Sequence, residues 1–217
     1  MKVIKFGGTS VGSVESILSL KRIVEAEQEP VIVVVSALGG ITDCLLATSR
    51  LALGGDERWR EEFEGMRSRH HQMVEAVIGD PTKREHLQSI LDDMFEQLRS
   101  IYYGVFLIHD LSPKTEAAIV SYGERLSSHI VANLIKGGQR INARDFIRTA
   151  KKQGKDMLDA ELTYELVRKS FAPEAPSGAV GGTTVPVVPG FIARDRDTGE
   201  TTNLRRGGSD YTAAIIA

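Results

Sequence analysis

Lys5-Phe6-Gly7-Gly8-Thr9-Ser10 is the first run in the chain whose residue types suit chemistry. Glycines after a lysine let backbone N–H groups come close to a ligand. The amphipathic run that Ser13 caps from Val14 adds a helix N-terminus, which favours an anion. A phosphate is the obvious candidate. Gly7 and Gly12 have the glycine spacing of a Walker A loop, but Ser13 and Val14 stand where that motif needs Lys and Ser/Thr, so this is not a P-loop. The cation precedes the glycines, and Lys5 is expected to cross the loop mouth as a point charge for phosphate oxygens. A tight turn beside a solvated lysine is the plain alternative.

Three further runs carry candidate groups. Ser36-Ala37-Leu38-Gly39-Gly40-Ile41-Thr42-Asp43 combines paired glycines with the hydroxyls of Ser36 and Thr42, and Thr42 or Asp43 could cap a helix running to about Leu53. Ser121-Tyr122-Gly123-Glu124-Arg125 places a glycine inside a helix, at a cost of about 1 kcal/mol relative to alanine, which points to a packing or ligand reason. Glu124 beside it is either a carboxylate aimed at a substrate amine or a solvent-facing partner of Arg125. Arg205-Arg206-Gly207-Gly208-Ser209-Asp210 opens a last helix with an arginine fork that suits carboxylate or phosphate, and with a carboxylate, Asp210, that could orient Mg²⁺ or its water.

These runs need elements that bring them together. Val3 to Phe6 and the five β-branched residues Val31 to Val35 read as buried parallel strands, joined by a helix with Val14, Ile17, Leu18 and Val24 on one face. Their loops then share the sheet edge at the strands' carboxyl ends, where open α/β sheets bind ligands. From Asp56 to about His109 the composition predicts two long helices broken at Gly79-Asp80-Pro81, with His70, His71 and His86 as solvated face residues. Ser112-Pro113 opens another helix towards Gly137, with a kink at Gly123. A short strand at Gln139 to Ala143, a turn at Arg144-Asp145 and a helix from Ala160 to Ser170 follow. Next come a loop at Ala172 to Gly178 and Val185 to Pro189, whose prolines suggest a strand end or edge. Ile192 and its neighbours then enter a hairpin turning at Asp195 to Gly199. The fold class is α/β: a mainly parallel sheet sandwiched by helices, with a peripheral helical region at about residues 56–136 and a β-hairpin near the C-terminus.

With 217 residues, 41% of them hydrophobic, the chain can bury one sizeable core. Its 27 basic and 29 acidic residues give a net charge of −2, so no basic footprint calls for nucleic acid or an anionic membrane. One cysteine, Cys44, forms no internal disulfide, and the expected compartment is the cytoplasm.

Taken together, the motifs resemble the aspartate kinases of the amino-acid kinase superfamily over nearly the whole length. They are Lys5-Phe6-Gly7-Gly8-Thr9-Ser10, Val35-Ser36-Ala37 through Gly40-Ile41-Thr42-Asp43, Tyr122-Gly123-Glu124, and Arg206-Gly207-Gly208-Ser209-Asp210-Tyr211-Thr212-Ala213-Ala214. The opening and the long helical region look closest to forms fused to homoserine dehydrogenase. The resemblance implies ATP- and Mg²⁺-dependent phosphorylation of the L-aspartate side-chain carboxylate, giving 4-phospho-L-aspartate on the way to lysine, threonine and methionine, by a homo-oligomer when full-length. It gives Lys5 the transferring phosphoryl group, Glu124 the substrate amine and Arg206 its α-carboxylate. Ser36, Thr42 and Ser209 would hold aspartate, Gly7, Gly8, Thr9, Ser10 and Gly40 would line the phosphates, and Asp210 would organise the metal, directly or through water. Arg205 departs from the glycine usual there. The resemblance treats residues 1–217 as a single incomplete kinase domain, the aspartate-binding lobe, with the adenine-binding subdomain and regulatory domains beyond Ala217. A noncatalytic aspartate-binding or dimerisation module is the alternative, as is a sibling kinase acting on glutamate or acetylglutamate.

Overall fold

The computed structural model describes residues 1–172, 184–205 and 207–217. Strand β1 (Lys2–Phe6) pairs in parallel with β2 (Val31–Val35), from Lys2 opposite Val31 to Phe6 opposite Val35. Helix α1 (Val14–Ala26) links them, its N-terminus capped by the Ser13 side chain. Its buried stripe is Ile17, Leu20 and Val24, whereas Leu18, expected on that face, is exposed because it lies one residue round from Ile17. All five residues of β2 are buried. Val31, Val33 and Val35 enter one core and Ile32 and Val34 the other, so no position on this strand meets water.

Sheet order is β1-β2-β6-β3, with β6 (Val185–Pro189) and β3 (Gly138–Arg140) also parallel. Strand β6 is central, so of the two placements its prolines suggest the edge does not apply, while Pro189 does stand at the strand's end. Val185 N–H donates to Gly137 O and Val187 O accepts from Ile141 N–H, so odd-numbered residues of β6 bond towards β3 and even-numbered ones towards β2. Pro186 therefore faces β2 before their pairing begins at Val187, and Pro189 faces β3 after that pairing has ended. Neither proline interrupts a ladder hydrogen bond.

Helix α1 shares one face of the sheet with α2 (Ile41–Leu53), α3 (Trp59–Val77), α4 (Pro81–Ile108) and α5 (Pro113–Leu134). The charged composition of α3 conceals a stripe of Trp59, Phe63, Met66, His70 and Met73, which meets Phe95, Leu98 and Tyr102 of α4 in one core continuous with the sheet. Ring contacts such as Phe63 on Phe95 (centroids 5.7 Å apart) knit this layer. Helix α5 is continuous through Gly123.

His70 is not a solvated residue. It is fully buried, its Nδ1 donates to Met66 O at 2.8 Å, and its Nε2 has no partner among the described residues. Burial pushes its pKa down to about 4, against a smaller raising effect from the Met66 bond. The unfolded chain binds this proton near pH 6.5 and the folded chain does not, so this contribution is complete above pH 6.5 and is lost as pH falls through 4. Between pH 7 and pH 5 it should remove about 2 kcal/mol of stability. Urea unfolding of wild type and His70→Leu at both pH values checks this: the variant should lack that part of the slope. His71 bonds Asp92 at 3.0 Å, and His86 is exposed as expected.

A second sheet, ordered β5-β4-β7-β8, flanks the first. It consists of β4 (Arg148–Lys152), β5 (Lys155–Leu158), β7 (Ile192–Asp195) and β8 (Thr201–Asn203). The β7–β8 hairpin matches expectation. Short β3 ends at Arg140, and a 3₁₀ turn at Ala143–Asp145 replaces the end of the expected strand. Helices α6 (Ala160–Ser170) and α7 (Gly208–Ile216) close the second core under Ile32 and Val34. Most of the Ala172 to Gly178 loop lies outside the described residues. Among the described residues no helix is long and apolar enough to cross a membrane.

Candidate active site

Because β1, β2 and β6 are parallel neighbours, the loops after them open on one sheet edge, around a cleft of about 320 Å³. The 3₁₀ turn Gly8–Val11 after β1 lies against the loop after β2 at backbone distance. A Cβ on Gly12 would stand 3.0 Å from Gly8 O, and one on Gly39 3.1 Å from the same oxygen. The glycines of these two loops thus serve first to let the loops touch. Arg69 of α3 reinforces the contact by donating to Gly12 O at 3.4 Å, which nothing in its sequence context signals.

Helices α2 and α7 both begin at the cleft, from Gly40 (φ 81°) and Gly207 (φ 79°). Both N-cap residues are glycines in the left-handed region and offer no side-chain cap; Thr42 and Asp43, expected as caps, occupy the first turn of α2 instead, as Ser209 and Asp210 do in α7. Two helix N-termini of nine residues or more therefore face one space, an arrangement that favours an anion there.

Lys5 projects from β1 into the cleft, its Nζ 3.0 Å from Asp210 Oδ1 and 3.3 Å from where a Cβ on Gly7 would be. The Asp210 side chain is 70% exposed, so this pair contributes at most about 1 kcal/mol and yields readily to a competing anion. Ser36, Thr42 and Ser209 line the same cleft, as do Gly8, Gly40 and Asp210. Gly7, Thr9 and Ser10 do not line it: Gly7 backs Lys5, and Ser10 N–H donates to Gly7 O within the turn. Arg206 lies outside the described residues. Arg205 points away, its Nη2 3.6 Å from Met157 Sδ on β5.

Glu124 is a buried wall of the cleft, not a solvent-facing partner of Arg125. It is 5% exposed, and its Oε2 has no hydrogen-bond partner among the described residues. Burial pushes its pKa up to about 7, opposed by the backbone N–H groups of Ala37 and of Glu124 itself. Arg125 instead stacks on the Tyr122 ring at 4.3 Å. Ser127, one turn along α5, donates to Ser36 O at 2.7 Å and ties this helix to the loop after β2.

Gly123 explains how that helix comes so close. A Cβ there would lie 2.7 Å from Ala37 Cβ and 3.4 Å from Leu45 Cδ1. Ala37 has no rotamer with which to retreat, so Gly123→Ala must push α5 away from the loop. We expect a net loss of about 1–3 kcal/mol despite the better helix propensity of alanine, read as a lowered melting temperature.

Phe191, not foreseen as a site residue, lines the cleft with φ 69°, its N–H held by Thr212 Oγ1 at 3.0 Å. A bulky residue with positive φ is strained and often marks a ligand site, and no sequence pattern announces it. Among the described residues no group of three or more His, Cys, Asp or Glu is placed to hold a metal ion. Asp210 alone suits a cation that keeps most of its waters or takes phosphate oxygens as ligands.

The sequence profile of the amino acid kinase family matches residues 1–217. The chain is 31% identical over 225 residues to chloroplastic aspartokinase 1 of Arabidopsis thaliana, covering 99% of this chain and 37% of that protein. Its fold matches Escherichia coli aspartokinase III in complex with lysine and aspartate (T-state) with a TM-score of 0.84 and 27% identity, covering 100% of this chain and 46% of that one. The complex of that enzyme with aspartate and ADP (R-state) gives 0.82 and 28%, with the same coverage. The chain thus spans less than half the length of the relatives it matches. Matched by the family profile from its first residue to its last, with the fold to go with it, this chain belongs to the amino acid kinase family.

Proposed function

We propose that residues 1–217 form the aspartate-binding lobe of an ATP-dependent aspartate kinase, which transfers the γ-phosphoryl group of ATP to the side-chain carboxylate of L-aspartate. The observation that carries this reading is the unpartnered carboxylate oxygen of Glu124 in the wall of a cleft whose other side holds Lys5. A buried carboxylate with one oxygen left without a partner among the described residues suits a substrate ammonium, and likeness to aspartokinases that bind aspartate supplies the identity of the substrate.

In this reading Glu124 receives the α-ammonium, Ser36, Thr42 and Ser209 hold the rest of aspartate, and Arg206, by family resemblance, takes the α-carboxylate. The β-carboxylate oxygen attacks phosphorus in line as the bond to the ADP oxygen breaks. Both reactants are anionic, so positioning and charge stabilisation carry the rate. Lys5 exchanges Asp210 for the phosphoryl oxygens, and the N–H groups at Gly8, Gly40 and Gly208 face the same charge; Gly7, Thr9 and Ser10 support the loop. Mg²⁺ supplies charge neutralisation on the polyphosphate, and Asp210 is the residue that would hold it, directly or through water. The expected compartment is the cytoplasm, and the full-length enzyme is expected to be a homo-oligomer.

The substrate reading predicts a pH dependence of affinity. Ammonium binding requires ionised Glu124, whose pKa in the free protein is about 7, so affinity for L-aspartate should fall towards tenfold per pH unit below 7. Calorimetric titration from pH 5.5 to 8.5 checks this, with succinate, which lacks the ammonium, as control. A flat aspartate profile, or succinate binding equally well, would count against the assignment of Glu124.

A further inference from the structure

We propose that Arg125, Arg140, Arg144, Arg148 and Arg194 form a second anion site, separate from the cleft, for a compact oxyanion of the phosphate or pyrophosphate type. None of the five lines the cleft. Strand register sets Arg148 directly beside Arg194, and Arg194 opposite Thr201. Arg144 lies over this row, its Nη1 donating to Thr201 Oγ1 at 3.0 Å. From the α5 side, Arg140 Nε donates to Ser128 Oγ at 2.9 Å, and Arg125 stacks on Tyr122. Arg148 reaches the carbonyls of Arg144 and Asp145, and Arg194 Nε donates to Gly199 O at 3.1 Å.

Every one of these partners is neutral. Among the described residues none of the five arginines makes an ion pair within 4.0 Å of a carboxylate. Among the described residues, Asp145 is the carboxylate that acts on Arg140, Arg144 and Arg148. Burial, then the neighbouring Arg125 and Arg144, pushes Arg140 down to about 10, and Arg144 and Arg148 are lowered chiefly by burial and then by other arginines. Arg144 Nε is buried without an acceptor among the described residues. Like charges crowded in this way call for a counter-charge, and guanidinium forks match paired oxygens of a phosphate bidentately. Because Arg140, Arg144 and Arg148 are all partly buried, a small anion suits these donors better than a broad acidic protein surface.

Pyrophosphate titrated calorimetrically at constant ionic strength tests the site, with Lys5→Met included to disable the cleft. The expected result is binding that survives Lys5→Met and weakens at least tenfold in Arg144→Gln and in Arg125→Gln. Arg125 is only partly buried and has the Tyr122 ring as its contact, so its variant should fold even if Arg144→Gln does not. In wild type, the Arg144 Nε–H resonance should shift on binding. Binding that disappears with Lys5→Met yet is untouched in the arginine variants overturns the proposal. So does a titration no different from chloride, which would leave the arginines to an acidic macromolecule.

Discussion

Glu124→Gln is expected to make the protein more stable and unable to hold its substrate. The folded chain keeps the Glu124 proton up to about pH 7, whereas the unfolded chain releases it near 4.5. Stability at this residue is therefore complete below pH 4.5 and is lost as pH rises through 7. The ionised carboxylate costs the fold about 3 kcal/mol at pH 8. Glutamine keeps the size and hydrogen-bonding reach without the charge, so denaturant unfolding at pH 8 should show a gain of that order. The same change removes the counter-charge for an ammonium, and L-aspartate affinity should fall at least 10²-fold, as when one partner of a buried charge pair is removed. Stability and binding moving in opposite directions is what separates a ligand-directed carboxylate from a structural one. If Glu124→Gln destabilises the protein at pH 8, the carboxylate is instead satisfied within the fold.

The second large effect belongs to Lys5. Lys5→Met keeps the aliphatic stem against Gly7 and removes only the ammonium, so the fold should change little: the pair lost is with an Asp210 side chain that is 70% exposed. Phosphoryl transfer should fall by about 10²- to 10³-fold, the scale of deleting one preorganised donor, while aspartate affinity stays within a few-fold. In the full-length enzyme, ADP release measured with and without L-aspartate gives the first quantity and calorimetry the second. A loss of turnover matched by an equal loss of aspartate affinity would move Lys5 to the substrate side.

Much of this arrangement is legible in the residues. Five β-branched positions in β2, buried on both faces, identify a parallel sheet, and that sheet obliges the loops around Lys5 and Gly40 to meet; Ser209 reaches the same cleft from the start of α7, which follows β8 of the second sheet. Ser13 and Ser112 mark helix starts because a side-chain cap is a local event. What composition hides is set by long-range packing. Glu124 and His70 are polar residues on helices with charged neighbours, and only the partners that close over them show that they are buried. The prolines of β6 look like edge markers until the staggered pairing on its two sides is known. The β4–β5 hairpin passes unnoticed because its strands are largely polar and Gln153-Gly154, with φ of 51° and 74°, lacks the Asn or Asp usual in such a turn. The glycines of the first two loops point to phosphate when read singly, whereas in the fold their first task is the contact between the loops.

The most direct measurement is chemical identification of the product. Incubation of the full-length enzyme that contains residues 1–217 with ATP, Mg²⁺ and L-aspartate in the presence of hydroxylamine traps an acyl phosphate as its hydroxamate. The prediction is aspartyl hydroxamate formed in step with ADP, absent without L-aspartate and reduced about 10²-fold or more in Lys5→Met. ADP release without hydroxamate, or hydroxamate formed in preference from glutamate or acetylglutamate, would contradict the assignment of the aspartate side chain as the phosphoryl acceptor.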